Sequence, residues 1–308
     1  MASLVEVATY WPAGVSLNDQ QEDLGLTAVE LRTYLRAFGL AETRRDPEQS
    51  EAELLLAAAR KLAWLPGQEE RVKYVLRART LRSAVPYPIS PMQEVRHELG
   101  LSHAQAFTVT DHACAGGLLA LDLAGLLLSR DPDPDALALV LTGEKGISRH
   151  GRLIPRVAIT GDAVAAVLVG QSNRDRILSY ATHTHPMATS GLVMDKQEFG
   201  IFRRIYPETL TKVVQGALDL AGTRPEQVAL LLPHNVNRPA WLGQAEQLGI
   251  PLERVFLDNI PRTGHCFCAD PMLNYRTVAD LGLLQPGDRY VLTSVGLGAT
   301  FSAMVIEH

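Results

Sequence analysis

Apolar positions along the chain fall into short blocks of strand length that alternate with longer blocks at helical spacing. Residues 4–10 form a first strand-like block, closed by a turn containing Pro12 and Gly14. Residues 26–63 read as mostly helical and charged, and 51–65 carries apolar residues at helical spacing up to Pro66-Gly67. A strand at 72–76, a helix at 91–99 and a strand at 107–110 follow. Residues 115–129 are apolar almost all round, which predicts a central, buried helix. The Asp-Pro-Asp-Pro-Asp run at 131–135 is a turn, and strands follow at 137–142 and 163–169. The second half repeats the rhythm, with helices at 207–222, 239–248 and 271–282 between strands at 228–232, 254–258, 289–295 and 300–306. Both halves end on a small-residue entry into an apolar strand, Asp162-Ala163-Val164 and Gly298-Ala299-Thr300. This is a weak internal duplication of an α/β unit. The alternation predicts a largely parallel sheet covered by helices.

Composition narrows the classes. The chain has 308 residues, 46% hydrophobic and 20% charged, enough for one large domain or two fused halves. A net charge of -5 and a pI near 6.0 argue against a nucleic-acid partner. The N-terminal residues lack the basic and apolar regions of a signal peptide. The apolar runs read as too short or too interrupted to span a bilayer, so no membrane is expected. Three cysteines cannot all pair, and Cys266 and Cys268 are two residues apart, which predicts a reducing, cytoplasmic home.

Candidate chemistry begins at Cys114, where a short strand stops and the long apolar helix starts. Free N–H groups at a helix start stabilise a thiolate, and Gly116-Gly117 leaves room for a substrate. The alternative is a buried structural cysteine, common for this residue type. His234 stands just past the strand at 228–232, and His265 stands in a turn opening the helix at 271–282. In parallel α/β architectures such strand ends converge on one crevice. One Cys and two His can perform nucleophilic acyl transfer through a covalent thioester. Backbone N–H groups of Cys114 and Leu297, the latter in the Val295-Gly296-Leu297-Gly298 turn, are candidates for an oxyanion hole.

His265, Cys266, Cys268 and Asp270 are also metal-ligand types, but no second close pair stands at zinc-like spacing, so no metal is expected. Gly146-Ile147-Ser148-Arg149-His150 lacks the second glycine of a nucleophile elbow, which disfavours a serine hydrolase. Arg149, Arg152 and Arg156 read as a solvated loop, or as a face for an acidic carrier. Asp122 on the apolar helix is expected to pair with a polar group, within the core or at an interface between subunits, because a buried unpaired carboxylate is costly.

Ala113-Cys114-Ala115-Gly116, Gly161-Asp162-Ala163, Pro233-His234-Asn235-Val236-Asn237, Gly264-His265, Gln285-Pro286-Gly287-Asp288 and Gly296-Leu297-Gly298-Ala299-Thr300 occur in one order and spacing. Together they resemble the thiolase superfamily, and within it the beta-ketoacyl-[acyl carrier protein] synthase III group. The resemblance implies a five-layered αβαβα sandwich of two similar halves, residues 1–170 carrying the nucleophile and 171–308 the two histidines. It implies catalytic Cys114, His234 and His265, a homodimer, and a narrow tunnel for a phosphopantetheine arm. The donor would be acyl-CoA or an acyl carrier protein, with no tightly bound cofactor. Arg36 matches a tunnel-mouth arginine, and Asn235 and Asn237 fall among the substrate-binding positions.

Three departures from the group's pattern stand out. His265 replaces the usual asparagine, Asn235-Val236 replaces Gln-Ala, and Cys266-Phe267-Cys268 stands where small residues are usual. They point to a specialised relative in secondary metabolism. Such an enzyme either condenses the acyl group with a malonyl thioester or passes it to a hydroxyl or amine of a small-molecule acceptor. The other class of reading is a non-catalytic carrier-protein-binding partner, which the presence of Cys114 opposes.

Overall fold

A computed structural model describes residues 2–81, 88–186 and 194–308. Residues 1, 82–87 and 187–193 lie outside the described residues.

The first half runs β1 (Ser3–Tyr10), α1 (Glu51–Ala59), β2 (Val72–Ala78), α2 (Pro91–Glu98), β3 (Gln105–Val109), α3 (Gly116–Arg130), β4 (Leu137–Thr142) and β5 (Val164–Gly170). The second runs β6 (Arg176–Thr184), α4 (Lys196–Leu220), β7 (Val228–Leu232), α5 (Pro239–Leu248), α6 (Asp270–Asp280), β8 (Arg289–Gly296) and β9 (Thr300–Glu307). The sheet order is β7-β8-β9-β6-β1-β5-β4-β2-β3, so β6 and β1 meet at the middle and the order reads alike outward from there. They pair only at Ser3–Arg176, which lets the two half-sheets diverge. Helices α3 and α6 each touch strands of both half-sheets and form the central layer. Helix α1 covers β1 and β5 on one outer side, and α4 covers β6 and β9 on the other. The result is the expected five-layered sandwich. We propose a division of the halves between β5 and β6.

The sheet is mixed and not largely parallel as the alternation predicted. Ladders β2–β3, β2–β4 and β7–β8 are parallel, but β4–β5, β5–β1, β6–β9 and β8–β9 are antiparallel. Strands β8 and β9 are joined by a hairpin and β4 and β5 by a loop that turns back, so no helical crossover enforces parallel pairing.

Other differences have local causes. Strand β6 is not marked in the sequence, because polar residues, buried Ser179 and exposed Thr182, His183 and Thr184, hide its alternation. The strand expected at 254–258 is a single bridge, Leu231 to Val255, in the place where β3 pairs with β2 in the first half. Helix α4 starts at Lys196 and not near 207, because Pro207 sits inside it and Asp195 with Glu198 forms its capping box. Helix α1 stops at Ala59, before residue 65, and the Glu6 carboxylate accepts the Ala63 and Trp64 N–H groups at 2.9 Å each.

Helix α3 is buried in its first half only. Gly116 to Leu118, Ala120, Leu121 and Ala124 are buried, whereas Leu126 is 50% exposed. With the preceding turn it is long and apolar enough to cross a bilayer by length and composition, but it packs here as a core helix between two half-sheets. Asp122 has no hydrogen-bond or ion-pair partner among the described residues. Half-burial pushes its carboxyl pKa up, so the expected pairing is absent from a single chain.

Candidate active site

Three chain segments from both halves build the site. After β3 the backbone enters the left-handed region at Asp111 (φ 62) and Ala113 (φ 46), which costs of order 1–3 kcal/mol per such residue. That kink throws Cys114 into a single 3-10 turn, Ala113–Ala115, ahead of α3. The turn is wedged from two sides. A Cβ on Gly117 would lie 2.6 Å from the Cys268 carbonyl oxygen, and one on Gly296 would lie 2.0 Å from the His112 carbonyl oxygen. Ser294 Oγ donates to the Cys114 carbonyl at 2.8 Å, tying the elbow to β8.

His265 follows a short helix, Ile260–Thr263, and is clamped by backbone. Its N–H donates to Ile159 O at 2.9 Å and its carbonyl accepts from Gly161 at 3.0 Å. Its Nε2 lies 3.1 Å from Cys114 Sγ, and its Nδ1 lies 2.5 Å from Asp270 Oδ2. Asp270 opens α6, where a carboxylate suits the helix dipole. Its two oxygens also accept the N–H groups of Asn235 at 2.6 Å and Cys266 at 2.7 Å. Sulfur, imidazole and carboxylate thus form one chain of contacts, fully buried at its Asp270 end.

The two histidines sit in opposite electrostatic states. Burial alone would lower the pKa of His265, but the charges of Asp270 and Cys114 outweigh it and raise it to about 10. An imidazolium against the sulfur is the arrangement that favours a thiolate nucleophile. His234 is pushed down to about 3, first by burial and then by the His265 charge. Trp241 packs against its ring at 5.3 Å between centroids, and its Nε2 lies 3.3 Å from the Tyr206 hydroxyl. His234 is therefore a neutral ring at working pH.

A further hydroxyl reaches the sulfur. Thr80 Oγ1 donates to Cys114 Sγ at 3.5 Å and lies 3.6 Å from Cys268 Sγ. The Glu144 carboxylate fixes that segment by accepting Thr80 N–H at 2.5 Å and Leu81 N–H at 2.8 Å. Glu144 is completely buried, and burial pushes its pKa up against the pull of these N–H groups and Arg77.

Cys114, His234, His265, Leu297 and Asn237 line one cavity of about 550 Å³. Asn235 does not line it. It is fully buried, donating backbone N–H to Asp270 and side-chain N–H to Asn274 Oδ1 at 3.2 Å, so its place is behind the site. Arg36 is exposed and lines neither this cavity nor the groove beside it, whereas Arg156 and Arg203 line the cavity. Arg149 and Arg152 turn back onto their own surroundings, Arg149 donating to Leu24 O and Arg152 facing Asp23 at 3.8 Å. The Cys266 thiol points to Thr263 O and the Cys268 thiol to Ala113 O. Among the described residues no three metal-ligating side chains converge.

Asp270, Tyr206 and Thr80 are the site residues that sequence reasoning missed. For Asp270 the usable signal is an acidic residue five positions past a histidine, a spacing that also suits a metal ligand. Nothing in the sequence marks Tyr206 or Thr80.

Comparison with known proteins bears on the fold. Residues 218–308 match the family 3-Oxoacyl-[acyl-carrier-protein (ACP)] synthase III C terminal. The beta-ketoacyl-[acyl-carrier-protein] synthase III of Aquifex aeolicus is 25% identical over 315 residues, covering 99% of each chain. Among solved structures, ChlB3, described as an acyltransferase, superposes with a TM-score of 0.86 at 19% identity, covering 99% of this chain and 97% of its own. The Aquifex aeolicus 3-oxoacyl-[acyl-carrier-protein] synthase III superposes at 0.83 and 23% identity over the whole of both chains. These structural likenesses establish the fold, and residues 218–308 carry the sequence likeness to the synthase III C-terminal family.

Proposed function

We propose that this protein is an acyltransferase that takes an acyl group from a CoA or acyl-carrier-protein thioester onto Cys114 and passes it to an oxygen or nitrogen of a small-molecule acceptor. The observation that carries this reading is the unbroken contact from Asp270 through His265 to Cys114. The asparagine usual in the synthase III group cannot serve as a proton acceptor, whereas an imidazole oriented by a carboxylate can.

In the first step the Cys114 thiolate attacks the thioester carbonyl, the carbon–sulfur bond forms, and the carbonyl oxygen becomes an oxyanion. Backbone N–H groups of Cys114 and Leu297 are the proposed donors to it. Collapse expels the donor thiol, which takes its proton from the His265 imidazolium. Loss of the thiolate charge leaves His265 neutral against the acyl-enzyme. In the second step the acceptor attacks the acyl carbon as its proton moves to His265 Nε2. Departure of Cys114 as thiolate restores the starting pair. Asp270 keeps Nδ1 protonated and the ring aimed in both steps.

Arg156 and Arg203 at the cavity wall suit an anionic phosphopantetheine or its carrier, and Asn237 lines the same cavity with its amide held by Val157 O and the Ala240 N–H. A homodimer is the proposed state. Strand β3 is a sheet edge with Phe107 37% exposed, and beside it α3 leaves Leu126 exposed and Asp122 without a hydrogen-bond or ion-pair partner among the described residues.

The second reading is decarboxylative condensation, favoured by the two imidazoles lining the same cavity with centroids 6.4 Å apart. Intact-protein mass spectrometry with a panel of acyl-CoA and acyl-carrier-protein donors tests the common first step. Absence of any adduct on Cys114 across that panel would sink both readings. Incubating the acyl-enzyme with a malonyl thioester then separates them, since release of carbon dioxide excludes heteroatom transfer as the sole chemistry.

A further inference from the structure

Tyr206 lies on α4 with its hydroxyl 3.3 Å from His234 Nε2, inside the cavity that holds Cys114. Its ring is held edge-on by Phe202 (5.5 Å between centroids) and Phe301 (5.9 Å), so the hydroxyl has little freedom to leave. The inference rests on the acyltransferase reading above and concerns what decides it.

Decarboxylation of a malonyl thioester breaks the bond between the carboxylate and the α-carbon. The electron pair moves onto the thioester carbonyl as an enolate, and carbon dioxide leaves. That enolate then attacks the acyl group on Cys114 or takes a proton from water. Either fate requires N–H donors fixed on the carbonyl oxygen while the charge develops. This chain has two imidazoles facing the cavity. In the acyl-enzyme His265 is neutral and keeps its one proton on Nδ1 against Asp270, so its Nε2 has nothing to donate. That leaves the Nε2 of His234 as the donor a malonyl carbonyl would need.

In either tautomer of His234 that nitrogen is already engaged. With the proton on Nε2 it donates to Tyr206, and with the proton on Nδ1 it accepts from Tyr206 and has nothing to donate. A second proton on the ring is not available near neutral pH in this buried position. We infer that Tyr206 is a specificity-determining residue, which withholds His234 Nε2 from a malonyl carbonyl and so suppresses decarboxylation in favour of transfer to oxygen or nitrogen. A phenylalanine at this position would keep the aromatic packing and release the nitrogen.

The test is Tyr206→Phe, with Tyr206→Leu as a second variant should the first fail to fold, checked by circular dichroism and thermal midpoint. Each is primed with an acyl-CoA that acylates the wild-type enzyme, then given malonyl-CoA labelled in its free carboxyl. Labelled carbon dioxide is compared with acyl transfer to a hydroxyl or amine acceptor in the same preparation. The expected result is little release from wild type and a ratio of decarboxylation to transfer at least about tenfold higher in the variant, the scale of one lost or gained N–H donor. A folded variant as silent as wild type overturns the inference and leaves the acyltransferase reading standing. Wild-type enzyme that already decarboxylates at the variant's rate overturns both.

Discussion

Asp270 holds the Nδ1 edge of His265 at 2.5 Å, and the opposite edge of the same ring lies 3.1 Å from Cys114 Sγ. One carboxylate therefore sets the tautomer, orientation and charge of the ring that faces the nucleophile.

Replacing that carboxylate with an amide should separate the two steps. Asp270→Asn keeps an acceptor for the backbone N–H groups but removes the charge that holds the His265 pKa near 10. We expect the acyl-enzyme to form and then to transfer its acyl group roughly 10²–10³-fold more slowly, within the range of general acid–base contributions. Single-turnover mass spectrometry reads the two steps separately. Nitrogen-15 NMR should show the His265 imidazolium titrating at lower pH, and an unchanged titration would contradict the contact with Asp270.

The three buried thiols should differ sharply. Cys114→Ala should abolish the acyl adduct, while Cys266 and Cys268 stay unmodified in wild type. Burial, with the neighbouring Asp270 charge for Cys266 and Glu144 for Cys268, pushes both well above the ordinary thiol range. Peptide mapping after acylation gives the answer, and label on Cys268 would move the nucleophile.

Acid should destabilise the fold through His234. Its ordinary pKa of 6.5 falls to about 3 in the folded protein, so between those values the unfolded chain takes up a proton that the folded one refuses. The stability this group contributes is complete above pH 6.5 and is lost as pH falls toward 3. His265 acts oppositely: its contribution is complete below pH 6.5 and is lost as pH rises through about 10. Urea unfolding of wild type and His234→Gln between about pH 7 and pH 4 should show a shallower loss in the variant. Parallel curves would mean that His234 is not held neutral.

The Gly296–His112 contact should tolerate no side chain. Gly296→Ala puts a methyl 2.0 Å from a carbonyl oxygen that belongs to the nucleophile elbow. Overpacking of this kind costs about 1–3 kcal/mol, and the turn carrying Leu297 must shift to relieve it. Chemical denaturation should show the loss, and Cys114 acylation should slow with it. A variant of wild-type stability and rate would show that the turn yields freely.

Thr80→Val is a milder probe. It removes the hydroxyl 3.5 Å from Cys114 Sγ while keeping the shape. Alkylation of Cys114 by iodoacetamide should slow by a few-fold, comparable to the loss of about 1 kcal/mol from one hydrogen bond. No change in rate would make Thr80 a packing residue only.

Sequence pattern alone determined most of the elements, because burial writes its period directly into the residues. Strands at 137–142 and 228–232 and the helix at 239–248 have the limits expected of them. It also singled out Cys114, His234 and His265, since a thiol and two imidazoles at strand-to-helix junctions are rare chemistry in recognisable places. It did not determine the direction of strand pairing, which depends on how each connection returns. It missed β6, whose partly exposed face carries little apolar signal, and the first turns of α4, hidden by Pro207.

Asp270, Tyr206 and Thr80 became site residues only in three dimensions. A carboxylate near His265 in sequence can face a metal, solvent or the ring, and packing of the turn Phe267–Ala269 against the Cys114 turn and α3 chose the ring. Thr80 is 34 residues from Cys114 and Tyr206 is 28 from His234, separations at which sequence spacing carries no geometric information. The residues able to carry the chemistry were thus legible in the chain. Which of them share a proton was decided by the tertiary fold, because hydrogen bonds depend on ångströms and directions that only the packed layers set.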